Sequence, residues 1–148
     1  MDVKIRKATE ADFPAIIGLI RELAIFENGL ENVTNSVEQM KEEKDYFNCY
    51  VAESGDEIIG MALYFFAYYT WVGKSLYLDD LYVREKHRGK NIGSLLMQKM
   101  MEVAKAENCK RLRLQVLHWN DPAIEFYEKN GFTVDREWYN CDFTDMLS

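Results

Sequence analysis

Twelve residues, Val83-Arg84-Glu85-Lys86-His87-Arg88-Gly89-Lys90-Asn91-Ile92-Gly93-Ser94, constrain this chain more than any other feature. They leave an apolar segment, pass through four cations and two glycines, and enter Ile92, Leu95, Leu96, Met100, Val103 and Ala104, spaced for one helix face. A strand turning through glycines into a helix is an α/β arrangement, and this turn suits an anion. Gly89 and Gly93 let the backbone approach a ligand closely, and Asn91 is among the non-glycine residues that accept positive φ. The free amides of a first helical turn point outward with the positive end of the helix dipole. With Arg84, Lys86, Arg88 and Lys90 they make a pyrophosphate site, although neither G-x-x-x-x-G-K-[ST] nor G-x-G-x-x-G is present. The plainer alternative is a basic loop whose glycines serve only to turn the chain.

Charge is distributed in the same sense. The chain of 148 residues carries a net −7, which argues against a nucleic-acid partner. Residues 22–57 hold ten acids against Lys41 and Lys44, whereas residues 84–113 hold nine Lys or Arg against three acids. One region suits a cation and the other an anion. The alternative is two solvated surfaces. Hydrophobic residues at 48% support one substantial core, so a single domain over residues 1–148 is expected. Cys49, Cys109 and Cys141 lie far apart without C-x-x-C spacing, arguing against a disulfide framework or zinc site and for a reducing compartment. The opening residues alternate charged and apolar, unlike a signal peptide, and the longest apolar stretch, 58–73, is short of the ~20 residues of a spanning helix. A cytoplasmic protein without a membrane partner is expected.

Elsewhere the pattern alternates strands and helices. Val3 and Ile5 read as a strand; Thr9 and Asp12 cap a helix running to about Phe26, and Ser36 opens a short second helix. Residues 46–53 and 58–69 form a hairpin, 75–83 a further strand, 92–106 a helix and 111–117 a strand. Asp121 reads as the cap of a short helix with Pro122 at its first position, which Asn130-Gly131 ends, and 133–136 and 139–143 read as two closing strands.

Arg88-Gly89-Lys90-Asn91-Ile92-Gly93 resembles the acetyl-CoA motif [QR]-x-x-G-x-[GA] of the GNAT acetyltransferase superfamily. Residues 119–132, WNDPAIEFYEKNGF, resemble its second signature, N-x-x-A-x-x-F-Y-x-x-x-G-F. With Ala8-Thr9-x-x-Asp12 the resemblance spans nearly the whole chain, although Asn91 stands where the family usually has Gly. Leu23-Ala24-x-Phe26-Glu27, Leu76-Tyr77-Leu78-Asp79-Asp80 and Trp119-Asn120-Asp121-Pro122 are similar to the spermidine/spermine (diamine) N-acetyltransferases, a group that includes thialysine acetyltransferases. That group commonly has an acid two positions before Trp71, where this chain has Tyr69.

The resemblance implies a GNAT fold: a central mixed, mostly antiparallel twisted sheet flanked by about four helices. It implies acetyl-CoA bound by Leu81, Tyr82, Val83, Arg88, Gly89, Lys90, Asn91, Ile92, Gly93, Ser94, Asn120, Ala123 and Tyr127. The backbone amides of a bulged strand would hold the pantetheine arm, and Tyr127 would protonate the leaving thiolate. Phe26, Glu27, Trp71, Asp79, Asp80 and Trp119 would receive a small cationic amine, with Asp79 relaying its proton. Direct attack in a ternary complex needs no Cys nucleophile, His87 and His118 lack ligand spacing for a metal, and a homodimer is implied. Acetylation of a protein N-terminus, a lysine or an aminoglycoside, and a non-catalytic CoA-binding sensor, remain the alternatives.

Overall fold

The computed structural model describes residues 2–146, and the chain divides after Gln115 into two compact units. The first holds β1 (Lys4–Lys7), α1 (Phe13–Phe26), α2 (Val37–Glu42), β2 (Asn48–Ser54), β3 (Glu57–Tyr69), β4 (Gly73–Val83), α3 (Ile92–Ala106) and β5 (Arg111–Leu114). The strands form one sheet in sequence order, antiparallel from β1 to β4, with β5 parallel to β4. The mixed, mostly antiparallel sheet of an α/β domain is therefore observed.

Local chemistry explains the starts of these elements. The Asp12 carboxylate accepts from the Thr9 amide at 2.8 Å and from both terminal nitrogens of Arg6 at 2.8 Å. Arg6 also reaches Glu53, so β1, β2 and the start of α1 share one ion cluster. Ser36 accepts from the Gln39 amide at 3.1 Å and caps α2. Gly55 turns the β2–β3 hairpin at φ 61°.

Alternation along β3 sends successive side chains to opposite faces. Met61 and Tyr82 join Phe13, Ile16 and Ile17 under α1. On the other face Gly60 lies under α3; a Cβ there would sit 3.4 Å from Leu96 and 3.0 Å from the Tyr82 carbonyl oxygen. Leu96, Met97 and Met100 are fully buried. Truncating such a side chain to Ala costs about 2–5 kcal/mol.

The second unit contains α4 (Asp121–Lys129), and two expectations change there. Asn120, not Asp121, is the cap: its side-chain oxygen accepts from the Ala123 amide at 3.4 Å. Residues 133–136 and 139–143 form no strands, and Trp138, Tyr139 and Phe143 stand exposed. Alternation marks a segment able to pair, but a strand also needs a ladder partner, which neither segment has among the described residues. The strand expected over 111–117 likewise ends at Leu114, the last residue paired with β4.

Candidate active site

The segment 83–94 folds as its composition requires. Asn91 adopts φ 63°, in the left-handed region where a residue with a branched Cβ is strained, and Gly89 has φ 81°. That conformation turns the chain into α3, whose first i→i−4 bond runs from the Leu95 amide to the Asn91 carbonyl at 3.0 Å. The amides of Ile92, Gly93 and Ser94 precede it and carry the positive end of the dipole. Asn therefore meets the backbone demand usually met by Gly at this position.

The cations of the loop divide their work. Arg84 contacts Glu57 at 2.9 Å and Glu22 at 3.3 Å, while Lys86 and His87 lie 3.6 and 3.8 Å from Glu57. Glu57 is held below the usual carboxylate range by these neighbours, Arg84 first, against an upward push from burial. Arg84 and Lys86, expected to face a phosphate, are thus bound internally and brace the loop. Arg88 donates from Nε to the Val83 carbonyl at 3.0 Å and lies over the rings of Tyr82 and Phe26. Phe26 therefore stands beside the anion loop through Arg88.

β4 is irregular where it matters. Asp80 pairs with Leu63 and Leu78 with Tyr64, so Asp79 is an extra residue without a partner on β3. β5 accompanies β4 only as far as Leu78, leaving the edge of β4 beyond that point open on the β5 side. The Arg84 amide donates to the Ile59 carbonyl. Since ladder bonds alternate, Tyr82 turns its backbone toward β3, while Leu81 and Val83 turn theirs to the open edge. Of the three residues expected to offer amides, Leu81 and Val83 have the orientation for an added, strand-like ligand.

Beside this strand lies a cavity of about 230 Å³, lined by Ile20, Leu23, Ala24 and Glu27 of α1, by Gly29, Asn32 and Val33, and by Asp80. Burial, with Asp79 and Glu27 adding their charge, pushes the Asp80 carboxyl up to about 7. Burial and then Asp79 raise Glu27, and burial raises Asp79. A cation placed among these three carboxyls would relieve the burial and like-charge repulsion that raise Asp80 and Glu27. Trp71 is not brought here: it lies 85% exposed at the β3–β4 turn, about 25 Å along β4 from Asp80 at 3.3 Å per residue. The sequence reading missed the cavity walls at Gly29, Asn32 and Val33, whose residue types signal only a turn, and it missed the bracing acids Glu22 and Glu57.

Within the second unit, Tyr127 packs between Phe126 and Phe132 at ring separations of 5.5 and 5.7 Å, Asn120 and Ala123 sit at the first turn of α4, and Trp119 is 43% exposed. The Cys49 thiol is buried and pushed up to about 12, so it is no nucleophile at neutral pH. Among the described residues, no three His, Cys, Asp or Glu are grouped to hold a metal, and no helix is long and apolar enough to cross a membrane.

A strand-to-helix turn with free first-turn amides, a bulged strand with an unpaired edge and a carboxyl cluster point the same way as comparison with known proteins. The model of the acetyltransferase (GNAT) family matches residues 16–132. The chain belongs to the GNAT acetyltransferase family. It is similar to a thialysine N-epsilon-acetyltransferase of Bos taurus, at 40% identity over 94% of this chain and 90% of that protein. It is also similar to a spermine/spermidine N(1)-acetyltransferase of Bacillus subtilis, at 26% identity over 93% and 91%. A crystal structure of an aminoglycoside acetyltransferase from a soil metagenomic sample matches with a TM-score of 0.80 at 20% identity, covering 97% of this chain and all of that one, which shows the shared GNAT fold. The residues present fit the acetyl-CoA of this family: first-turn amides of α3 and Lys90 for the diphosphate, and the free edge at Leu81 and Val83 for the pantetheine arm.

Proposed function

We propose that this acetyltransferase moves the acetyl group of acetyl-CoA to the terminal amine of a small cationic substrate, a polyamine, diamine or lysine-like amine, by direct attack. The observation that carries this reading is the convergence of Glu27, Asp79 and Asp80 beside the bulge of β4. A lysine-like ammonium has a pKa of ~10.4, so at pH 7 a few parts in ten thousand are free amine, a deficit of roughly 4–5 kcal/mol. Glu27 and Asp80 attract the ammonium. Asp80, poised near 7, takes a proton from the ammonium before the nitrogen attacks, and Asp79 on the exposed bulge passes it to water. The second N–H proton leaves the tetrahedral adduct and balances the one Tyr127 gives to the thiolate. The Leu81 and Val83 edge supplies donors for the thioester, and the phenol of Tyr127 returns a proton to the departing thiolate.

The relatives acting on thialysine and on spermine or spermidine support the amine class. The left-handed Asn91 weakens the sensor alternative, because the departure that suggested a crippled acetyl-CoA site has the backbone conformation such a site needs. The exposed Trp138, Tyr139 and Phe143 support the homodimer, which light scattering tests. A thiol-release assay with acetyl-CoA and spermidine, spermine, putrescine, thialysine, lysine, aminoglycosides and short peptides tests the function. Turnover confined to small amines is expected; turnover of peptides alone, or of nothing, overturns it.

A further inference from the structure

The sheet face that carries Asp80 continues past the end of the α1 packing into a patch the acetyl-transfer chemistry does not use. Tyr77 pairs with Phe65 and stacks on it at 5.2 Å, one step beyond the Asp80–Leu63 pair. On β5, Arg113 pairs with Tyr77 and Arg111 with Ser75, which places both guanidiniums on this same face. Tyr69 receives both: each guanidinium carbon lies 4.7 Å from the centre of its ring. Both guanidiniums thus converge on one aromatic ring, whose face attracts a cation. Neither arginine has a carboxylate partner among the described residues, and the Nε of Arg111 is buried without an acceptor. Arg113 is exposed.

This patch is electrically continuous with the acids. Burial acts first on the Tyr77 hydroxyl, followed by the charges of Asp79, Tyr69, Arg113 and Asp80, with Arg113 opposing the others. From Asp80 to Arg113 is two rungs along the β3–β4 ladder and one strand across, about 8 Å between backbones. A lysine-like amino acid, with six bonds between its terminal nitrogen and its carboxyl carbon, spans about 7 Å at ~1.2 Å of reach per bond.

We infer that the Tyr69-braced pair Arg111 and Arg113 is a carboxylate subsite, which selects amine substrates bearing a carboxylate at the far end over polyamines and diamines. The inference rests on the proposed amine acetylation and deepens it. An arginine fork suits a carboxylate through paired N–H bonds, and a polyamine brings to the same place a cation that the guanidiniums repel. Tyr69 is the positioning residue, since an acid in its place would occupy the guanidiniums itself.

The test compares S-(2-aminoethyl)-L-cysteine with 2-[(2-aminoethyl)thio]ethylamine, which differs by the missing carboxyl group, both by calorimetric binding and by turnover with acetyl-CoA. The intact enzyme should prefer the amino acid, and Arg113→Gln should reduce the ratio of the two affinities by about tenfold or more, the worth of a charge-assisted pair. Arg111→Gln should act in the same direction, and Tyr69→Asp should move the preference toward the diamine. Circular dichroism of each variant separates these effects from misfolding, and Arg113→Lys, retaining charge without the fork, should recover part of the ratio. Equal affinity of the intact enzyme for both compounds, or an unchanged ratio in folded Arg113→Gln and Arg111→Gln, overturns the subsite. Binding that discriminates without any turnover retains the subsite and overturns the proposed function; turnover of both without discrimination does the reverse.

Discussion

The proposed function sets an anion against backbone amides at the entry to α3, and a cation against the carboxyls of Glu27, Asp79 and Asp80 below the end of α1. The first site depends on φ at Gly89 and Asn91 and on amides that do not titrate. The second depends on carboxyls whose charge the protein itself disfavours, Asp80 being pushed up to about 7. On the proposed function, capture of acetyl-CoA should therefore respond little to pH, while handling of the amine should be tuned by it. Substitutions in one region should leave the other's ligand untouched, and the largest effects test that separation most severely.

With Tyr127 as the proposed proton donor to the leaving thiolate, Tyr127→Phe should lower kcat by about 10²–10³-fold with acetyl-CoA affinity unchanged. Stopped-flow turnover and calorimetry read the two quantities, and equal loss in both would remove Tyr127 from the acid role. Asp80→Asn should lower kcat/KM for the amine by about 10²-fold, again with acetyl-CoA binding intact. The wild-type kcat/KM should fall as pH drops through 7, where Asp80 protonates, and this limb should be missing from the variant. The stability linkage has a defined sign. Asp80 binds its proton more tightly in the fold than in the unfolded chain, so its own contribution to stability is full below about 3.8 and is lost as pH rises through 7. Asp80→Asn should therefore melt higher than wild type at pH 8, by an amount worth about 1–2 kcal/mol after solvent screening.

Smaller effects sharpen the other side of the contrast. Asn91→Val places a β-branched residue at φ 63°, and a strain of about 1–2 kcal/mol should weaken acetyl-CoA about tenfold without altering KM for the amine. Glu57→Gln loosens Arg84, Lys86 and His87 together and should raise KM for acetyl-CoA about twofold to fivefold, as expected of partly exposed ion pairs. An amine KM that moved as much would show that the loop and the cavity are not independent.

The same contrast governs what the sequence could reveal. The anion turn is local: its glycines, its asparagine and the helix that follows lie within a dozen residues, so residue types alone indicate its chemistry. The helix starts at Asp12 and Ser36 are legible for the same reason, since cap and amide are three residues apart or fewer. The cavity is assembled from α1, the turn after it and β4, and desolvation of Asp80 exists only once those parts meet. Glu57 takes Arg84 and Lys86 across 27 and 29 positions, so their diversion from phosphate duty leaves no local trace. The strands expected at 133–136 and 139–143 fail similarly, because alternation reports which side chains share a face and not what lies alongside.

The extra residue at Asp79 acts on β4 as a frameshift acts on a message. Before it the side chains toward α3 are even-numbered, Leu76 and Leu78; after it they are odd-numbered, Leu81 and Val83. That slip of phase brings Tyr77 and Asp80, three positions apart, onto one side of the sheet, where unbroken pleating would have set them back to back. Excising Asp79 would restore the rhythm and leave every other rung of the β3–β4 ladder matched. A chain shortened by that single residue should fold with its core intact and keep Asp80 beside Tyr77, losing only the outward carboxyl that the proposed function gives the task of passing protons to water.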